Sequence, residues 1–273
     1  MRTRVPPLAC AAVLSALLLA GPARAQADAV PPSGRALLER AFANRYDVDL
    51  TSVIELVVRS NTGQERRRTL QAMSKVIEGR VHSLGRLVAP EHLRGMTVLM
   101  VESKDRSSDS FLYLPSLQKV RRVTTAQRGD AFFGTDVTWA DLERQRAEDY
   151  ELVGVQEGMH AGERVHWIEA KPLRDDDSAR VRFAIAVSDL AILETEYWKR
   201  GASEPWRVIR AERASMVSQD GHVLPTHIAV DSRDRGTTTE VWIRDLRIDP
   251  EIDARLFSVK TLESQRPLPV RGR

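Results

Sequence analysis

The chain has 273 residues, of which 29% are charged, 42% hydrophobic and 5% aromatic. That composition excludes a disordered, collagen-like or polytopic membrane protein. Its one cysteine, Cys10, excludes a disulfide-rich scaffold, a cysteine-clustered zinc site and a CxxC redox motif.

Met1 to Ala25 reads as a secretory signal peptide. Arg2 and Arg4 form a basic start, Leu8 to Ala20 an apolar run too short to span a bilayer comfortably, and Ala23-Arg24-Ala25 a small-x-small cleavage site. The formal charge of +3 is the charge of this segment, which holds three arginines and no acids. The rest balances, with 38 basic residues (41 less 3) against 38 acidic ones, so charge gives no reason to expect polyanion binding. Cleavage after Ala25 removes Cys10. A lipidated cysteine should follow the apolar run, and Cys10 precedes most of it. The segment predicts an exported, periplasmic protein whose stability comes from its core alone.

Residues 26–32 read as a linker. Ser33 then caps a helix from Gly34 to Arg45, with Leu37, Leu38, Ala41 and Phe42 on one face. After it the hydrophobic period becomes two. Val181, Phe183, Ile185 and Val187 alternate with smaller or polar neighbours, as do Leu224 to Val230 and Thr239 to Ile243. Noisier alternation runs through Thr51–Arg59, Thr69–Ile77, Arg80–Ala89, Met96–Glu102, Phe111–Leu114, Tyr150–Gln156, Arg164–Ala170, Ile192–Lys199 and Trp206–Ala214. Turn signals such as Asn61-Thr62-Gly63, His160-Ala161-Gly162 and Asp220-Gly221 separate these runs. Roughly ten to twelve strands in an antiparallel meander are expected, with one face of the sheet solvated and the other covered. Two short helices interrupt the pattern. Thr138 to Arg144 opens with a capping box, Thr138 with Asp141. Asp249 caps a turn with Pro250 at its first position, running to Phe257. Residues 33–262 form one domain, and 263–273 read as a disordered tail.

Familiar catalytic signatures are missing. The six histidines make no HExxH or other i, i+4 pair, and there is no GxSxG, GxxxxGK[ST] or GxGxxG. Asp175-Asp176-Asp177 reads as a solvated loop. No cofactor or metal is expected, and an enzyme has no motif to support it.

The segment Phe111 to Leu142 carries the most information. It runs from a strand through Pro115 to a basic stretch with Lys119, Arg121 and Arg122. A loop follows in which Phe132 and Phe133 stand beside Gly134, and then Trp139. These aromatics either plug one end of the core or form a mobile apolar lid over a cavity, with basic residues at its rim to meet phosphate or carboxylate headgroups. Arg121 and Arg122 must face opposite ways in a strand. One of them is expected to tether the lid through Asp130 or Asp136. Nucleic acid fits the basic-aromatic mixture on paper, but not the export signal and balanced charge.

Leu114-Pro-x-Leu-x-Lys-Val-Arg-Arg-Val123, followed by Arg128-Gly-Asp-x-Phe-x-Gly-x-Asp-x-x-Trp139-x-Asp-Leu142, resembles the signature of the periplasmic outer membrane lipoprotein-sorting proteins, which are similar to LolA and LolB. Thr135 and Trp139 stand where that family is expected to have Ser and Tyr. The resemblance implies a mainly β (α+β) fold, a single curved antiparallel sheet forming an incomplete β-barrel covered by a few helices. It implies a cavity for lipidated protein or another lipid or hydrophobic ligand, with an inner-membrane transporter or outer-membrane acceptor as further partners. The expected cargo-binding or lid residues are Leu38, Phe42, Leu117, Arg121, Arg122, Phe132, Phe133 and Trp139. The alternative is an envelope sensor or accessory domain that uses the same fold to bind a membrane protein.

Overall fold

The computed structural model describes residues 33–104, 107–174, 177–264, 266 and 268–270. The signal-like segment, Cys10, the linker 26–32 and Asp175-Asp176 lie outside them. Ser33 caps the first helix as expected, its hydroxyl accepting from the Ala36 N–H at 3.3 Å. That helix, α1 (Gly34–Tyr46), buries Leu37, Leu38, Ala41 and Phe42.

Fifteen strands follow among the described residues: β1 (Leu50–Ser60), β2 (Glu65–Ile77), β3 (Arg80–Ala89), β4 (Thr97–Glu102), β5 (Ser108–Leu114), β6 (Lys119–Val123), β7 (Tyr150–His160), β8 (Glu163–Pro172), β9 (Arg180–Ala186), β10 (Ile192–Trp198), β11 (Arg207–Ala211), β12 (Met216–Gln219), β13 (His222–Pro225), β14 (His227–Ser232) and β15 (Thr237–Ile248). Thirteen of them make one antiparallel sheet, ordered β6-β5-β4-β3-β2-β1-β15-β14-β11-β10-β9-β8-β7, while β12 and β13 pair as a separate hairpin. The sheet is not closed, and β6 and β7 are its two edges. The count exceeds the expected ten to twelve partly because Leu224–Val230 is two strands. Pro225 ends β13, and Thr226, between the two strands, donates its N–H and hydroxyl to the Ser215 carbonyl at 3.1 and 2.8 Å.

Strand register sorts the side chains onto two faces. One face, here the inner one, carries Leu56, Leu70, Leu87, Val98, Met100, Val230 and Val241 in one cluster, and Ile168, Ala170, Val181, Phe183 and Ile185 in another. Helix α1 covers the second cluster, where Phe42 meets Phe183 edge-on at 5.7 Å. The segment between β6 and β7 covers the first.

The outer face departs from expectation. Over β7 to β10 it carries a partly exposed lattice of ion pairs and arginine–tryptophan contacts, such as Arg182 over Trp167 at 4.1 Å and Arg182 with Glu196 at 2.7 Å, which adjoins a buried cluster of Val165, Ala184, Ala186 and Leu193 packed with Met216 and Val223 of β12 and β13. Over β2 to β6 it is buried. Met73, Leu84, Leu99 and Tyr113 pack there against Ile252, Phe257, Leu262, Leu268 and Val270. The chain after β15, including α2 (Val259–Glu263), is thus a second cover. This corrects two readings: the sheet is not solvated throughout on one face, and the described part of 263–273 is docked, with Leu268 and Val270 each 5% exposed. The Asp249-Pro250 helical start is also absent. Asp249 takes φ 49° and donates its N–H to the Asp49 carbonyl at 2.9 Å, continuing the β1–β15 ladder; the turn begins later, at Ala254–Leu256, capped by Asp253.

Candidate functional site

The inner cover, residues 124–149, contains no α-helix. It is a chain of single 3-10 turns at Thr125–Gln127, Phe132–Gly134, Ala140–Leu142 and Ala147–Asp149. The capping box expected at Thr138 forms, with Asp141 accepting from the Thr138 N–H at 2.6 Å, but the helix it should open ends after one turn. Glu143 is extended, and its carboxylate is drawn to Arg128 at 2.6–3.0 Å and to Arg174 at 3.3 Å. A seven-residue helix has too little intrinsic stability to resist such tertiary bonds.

Phe132, Phe133 and Trp139 come together beneath this cover. Phe132 meets Trp139 edge-on at 5.1 Å and Phe133 at 4.4 Å. Phe132 and Trp139 are buried against Leu56, Leu70, Val98 and Met100. The expected apolar space is therefore filled here by the cover's own aromatic side chains. Phe133 (φ 49°) and Gly134 (φ 71°) are consecutive left-handed residues, a conformation that glycine adopts freely and phenylalanine does not. The resulting bend turns a run of backbone carbonyls toward the strands.

Four consecutive carbonyl oxygens each receive a guanidinium from the sheet. Arg68 donates to Phe133 at 3.3 Å, Arg66 to Gly134 at 3.5 Å, Arg235 to Thr135 at 3.0 Å and Arg207 to Asp136 at 3.1 Å. Arg66 and Arg68 share a face of β2 because they are two residues apart; Arg235 lies in the β14–β15 turn, and Arg207 opens β11. Arg207 also binds the Asp141 carboxylate through both terminal nitrogens and is 4% exposed. Burial alone would lower its pKa, but the charge and hydrogen bonding of Asp141 hold it above the usual value. The Asp136 carboxylate is buried and accepts from the Thr237 hydroxyl at 2.5 Å and the Thr239 hydroxyl at 2.7 Å.

The cover's far end is tied by Glu102, which is 4% exposed. It accepts from the Val81 N–H at 3.0 Å and pairs with Arg144 and Arg146. Burial would raise the Glu102 pKa; the Arg146 hydrogen bond, the Val81 N–H and the arginine charges together hold it below the usual carboxylate range. Beside the cover runs a cleft of about 560 Å³, lined by Asp130, Asp141, Glu143, Arg174, Tyr197 and Arg207 among others. Acids and arginines interleave along its lining with Tyr197 and Trp206.

The other sequence-predicted residues lie elsewhere. Leu38 and Phe42 are buried under α1 in the neighbouring cluster. Leu117 is 48% exposed on the turn before β6. Arg121 and Arg122 do face opposite ways, opposite Leu112 and Phe111, and both are exposed. The tether expected from them is not formed. Arg122 pairs with Asp109, and Asp136 is engaged by threonines. The arginines that do hold the cover, Arg66, Arg68, Arg207 and Arg235, were not singled out in the sequence. The signal was there for two of them: in the run Arg66-Arg67-Arg68, Arg66 and Arg68 fall on the same strand face as Leu70 and Ala72.

No group of histidine, cysteine, aspartate and glutamate able to hold a metal ion occurs among the described residues. None of the described helices is long and apolar enough to cross a membrane.

A family model described only as an uncharacterized protein-like family matches residues 79–264, from β3 to the outer cover. The chain belongs to this family. No curated protein matches it. Among solved structures it is similar to a domain from Vibrio parahaemolyticus named for outer membrane lipoprotein sorting, at 18% identity, TM-score 0.76, covering 84% of this chain and 97% of that one. A DUF1329 family protein from Desulfovibrio piger matches at 18% identity and TM-score 0.74, covering 83% and 98%. A LolA superfamily protein from Nitrosomonas europaea matches at 18% identity and TM-score 0.64, covering 82% and 97%. The fold of this family member is LolA-like, an open, mostly β sheet with few helices.

Proposed function

We propose that the chain is a periplasmic, non-catalytic binder or carrier of lipidated protein or another hydrophobic cargo, exported by the signal peptide that ends at Ala25. One observation carries this reading. The inner-face cluster around Leu56, Leu70, Val98 and Met100 is closed not by another sheet but by a helix-free segment, four of whose carbonyls are held by arginines. Such a cover can be exchanged for a ligand without breaking the strand ladder. Each methylene of an acyl chain transferred from water contributes about 0.8 kcal/mol, enough over one chain to offset displacing Phe132 and Trp139. The fold shared with a lipoprotein-sorting domain supports the same reading at the level of fold. Phe132, Phe133 and Trp139 are the proposed cargo contacts, with Leu38 and Phe42 beyond them. The functional domain begins at Ser33 and includes the docked C-terminal segment.

The test is native mass spectrometry of the protein purified from its own envelope without detergent, followed by organic extraction. The expected result is a discrete acyl species that is lost in Trp139→Glu while circular dichroism stays unchanged. A bare mass that takes up no lipid when lipid is offered would overturn the carrier reading. A second reading, a sensor or accessory domain that binds a membrane protein, is favoured by the β7 edge. That strand leaves Val153 53% and Met159 60% exposed along an unpaired edge, the surface used in strand addition. A photo-crosslinker at Val153 that captures a single membrane protein in cells, from a protein that is bare of lipid, would establish it.

A further inference from the structure

Arg66, Arg68 and Arg235 are unusual in a chain so rich in ion pairs. Among the described residues none of the three has a carboxylate partner, and their bonds to the cover run to neutral carbonyls. The acids nearby are taken. Glu65 pairs with Arg59 and Arg67 on the outer face, Asp234 with Lys199, and the Asp136 carboxylate with Thr237 and Thr239. The bonds from Arg68 and Arg66, at 3.3 and 3.5 Å, are longer than the usual N–H···O range of 2.7–3.2 Å. Burial, and secondarily the charge of Arg66, hold the Arg68 guanidinium below its ordinary pKa. Three cations therefore reach the carbonyls of three consecutive residues with only uncharged acceptors: the long bonds to Phe133 and Gly134, the 3.0 Å bond to Thr135, and a 2.8 Å bond from Arg68 to the Arg67 carbonyl. An oxyanion with several oxygens fits this arrangement better than separate carbonyls, because charge-assisted bonds are shorter and about twice as strong.

We infer that Arg66, Arg68 and Arg235 form an oxyanion site for a phosphate group, held in this conformation by the carbonyls of Phe133, Gly134 and Thr135 as placeholders. The phosphate can be that of a lipid headgroup or a free phosphate. A phosphate that takes the guanidinium groups frees the bend at Phe133-Gly134, and with it Phe132 and Trp139. The site explains why left-handed backbone is tolerated at a phenylalanine here: the bend presents carbonyls where an anion would otherwise sit. The headgroup version rests on the carrier reading, whereas the oxyanion site itself does not.

The experiment uses the full exported chain with three probes: phosphatidylglycerol-containing vesicles, neutral vesicles of digalactosyldiacylglycerol, which carry no phosphate, and inorganic phosphate. Cosedimentation measures vesicle binding, and hydrogen exchange at residues 131–137 measures release of the bend. Binding to the anionic vesicles with faster exchange, and no response to phosphate, identifies the source as a lipid headgroup. A response to phosphate as well identifies a general oxyanion site. Arg66→Gln and Arg68→Gln are each expected to weaken binding about tenfold, while the lysine variants retain most of it. Arg121→Gln with Arg122→Gln, on the exposed β6 edge, is the control for bulk charge. Equal loss in that control, equal binding to neutral vesicles, or no effect of any probe overturns the site. Extraction of an acyl cargo alongside a null result here would leave the carrier reading intact and remove only the oxyanion site.

Discussion

The two covers of the sheet are attached in opposite ways. The outer one, Ile252 to Val270, seats Leu262, which is 0% exposed, among Met73, Leu84, Leu99 and Tyr113. Its polar anchor is Arg86, 5% exposed, which bonds the carbonyls of Thr261 and Arg266 and the Thr97 hydroxyl at 2.9 Å. The inner one also uses arginines on carbonyls, but Arg66 and Arg235 stand in solvent, and the chain they hold is bent through left-handed backbone. The same chemical device is permanent where burial surrounds it and exchangeable where water can replace it. The inner cover is firmest where Arg207 meets Asp141 and where Glu102 meets Arg144 and Arg146.

The sharpest way to break this contrast is to remove the outer cover. A chain ending at Asp253 exposes the outer apolar cluster and is expected to lose cooperative unfolding, read by calorimetry. Next comes Arg207→Met, which removes the buried partner of the part-buried Asp141 carboxylate; breaking a fully buried pair costs about 3–5 kcal/mol, and a loss up to that size is expected as a lower urea midpoint. Arg86→Met leaves the Thr261 and Arg266 carbonyls without their donor and is expected to cost about 1–3 kcal/mol, with faster amide exchange confined to 252–270. Acid should act on the inner cover through Glu102. Its folded pKa lies below the unfolded value, so the stability it contributes is complete above about pH 4.3 and is lost as pH falls through the folded value. Exchange at 144–149 should rise in that window, and in Glu102→Gln it should already be high at neutral pH. The smallest effect belongs to Arg68→Gln. It is expected to change global stability by less than about 1 kcal/mol while still opening 131–137 to exchange. A large drop in the unfolding midpoint would show that the inner cover is not separable.

Where one face of a strand meets water, the sequence was easy to read. Ser33, α1 and the hairpin turns stand where the pattern puts them. One noisy strand is buried on both faces: Thr97-Val98-Leu99-Met100 has no polar side because the outer cover lies across it, and doubly buried strands read as continuous apolar runs. The outer cover itself was illegible, since Pro267, Pro269 and Gly272 look like a tail, and only Leu268 and Val270 mark the docking. At the candidate site the aromatics were legible and their fastening was not. Arg121 and Arg122 drew attention as a pair within a motif, but alternation sends one to each face. The cover is held instead by arginines brought from β2, β11 and the β14–β15 turn, a convergence that depends on the order of the sheet.

That order has a consequence for how the chain reaches its folded state. Strand β1 lies in the middle of the sheet, and one of its neighbours is β15, with Leu50 opposite Ile248. Contacts this distant along the chain form slowly, because a long loop must close before they are rewarded. The two halves of the sheet can each assemble as hairpins, but the seam that joins them awaits β15, the last of the described strands. A chain threaded through a membrane from its N-terminus would therefore arrive on the far side without its central seam, and complete it only once the whole sheet had crossed.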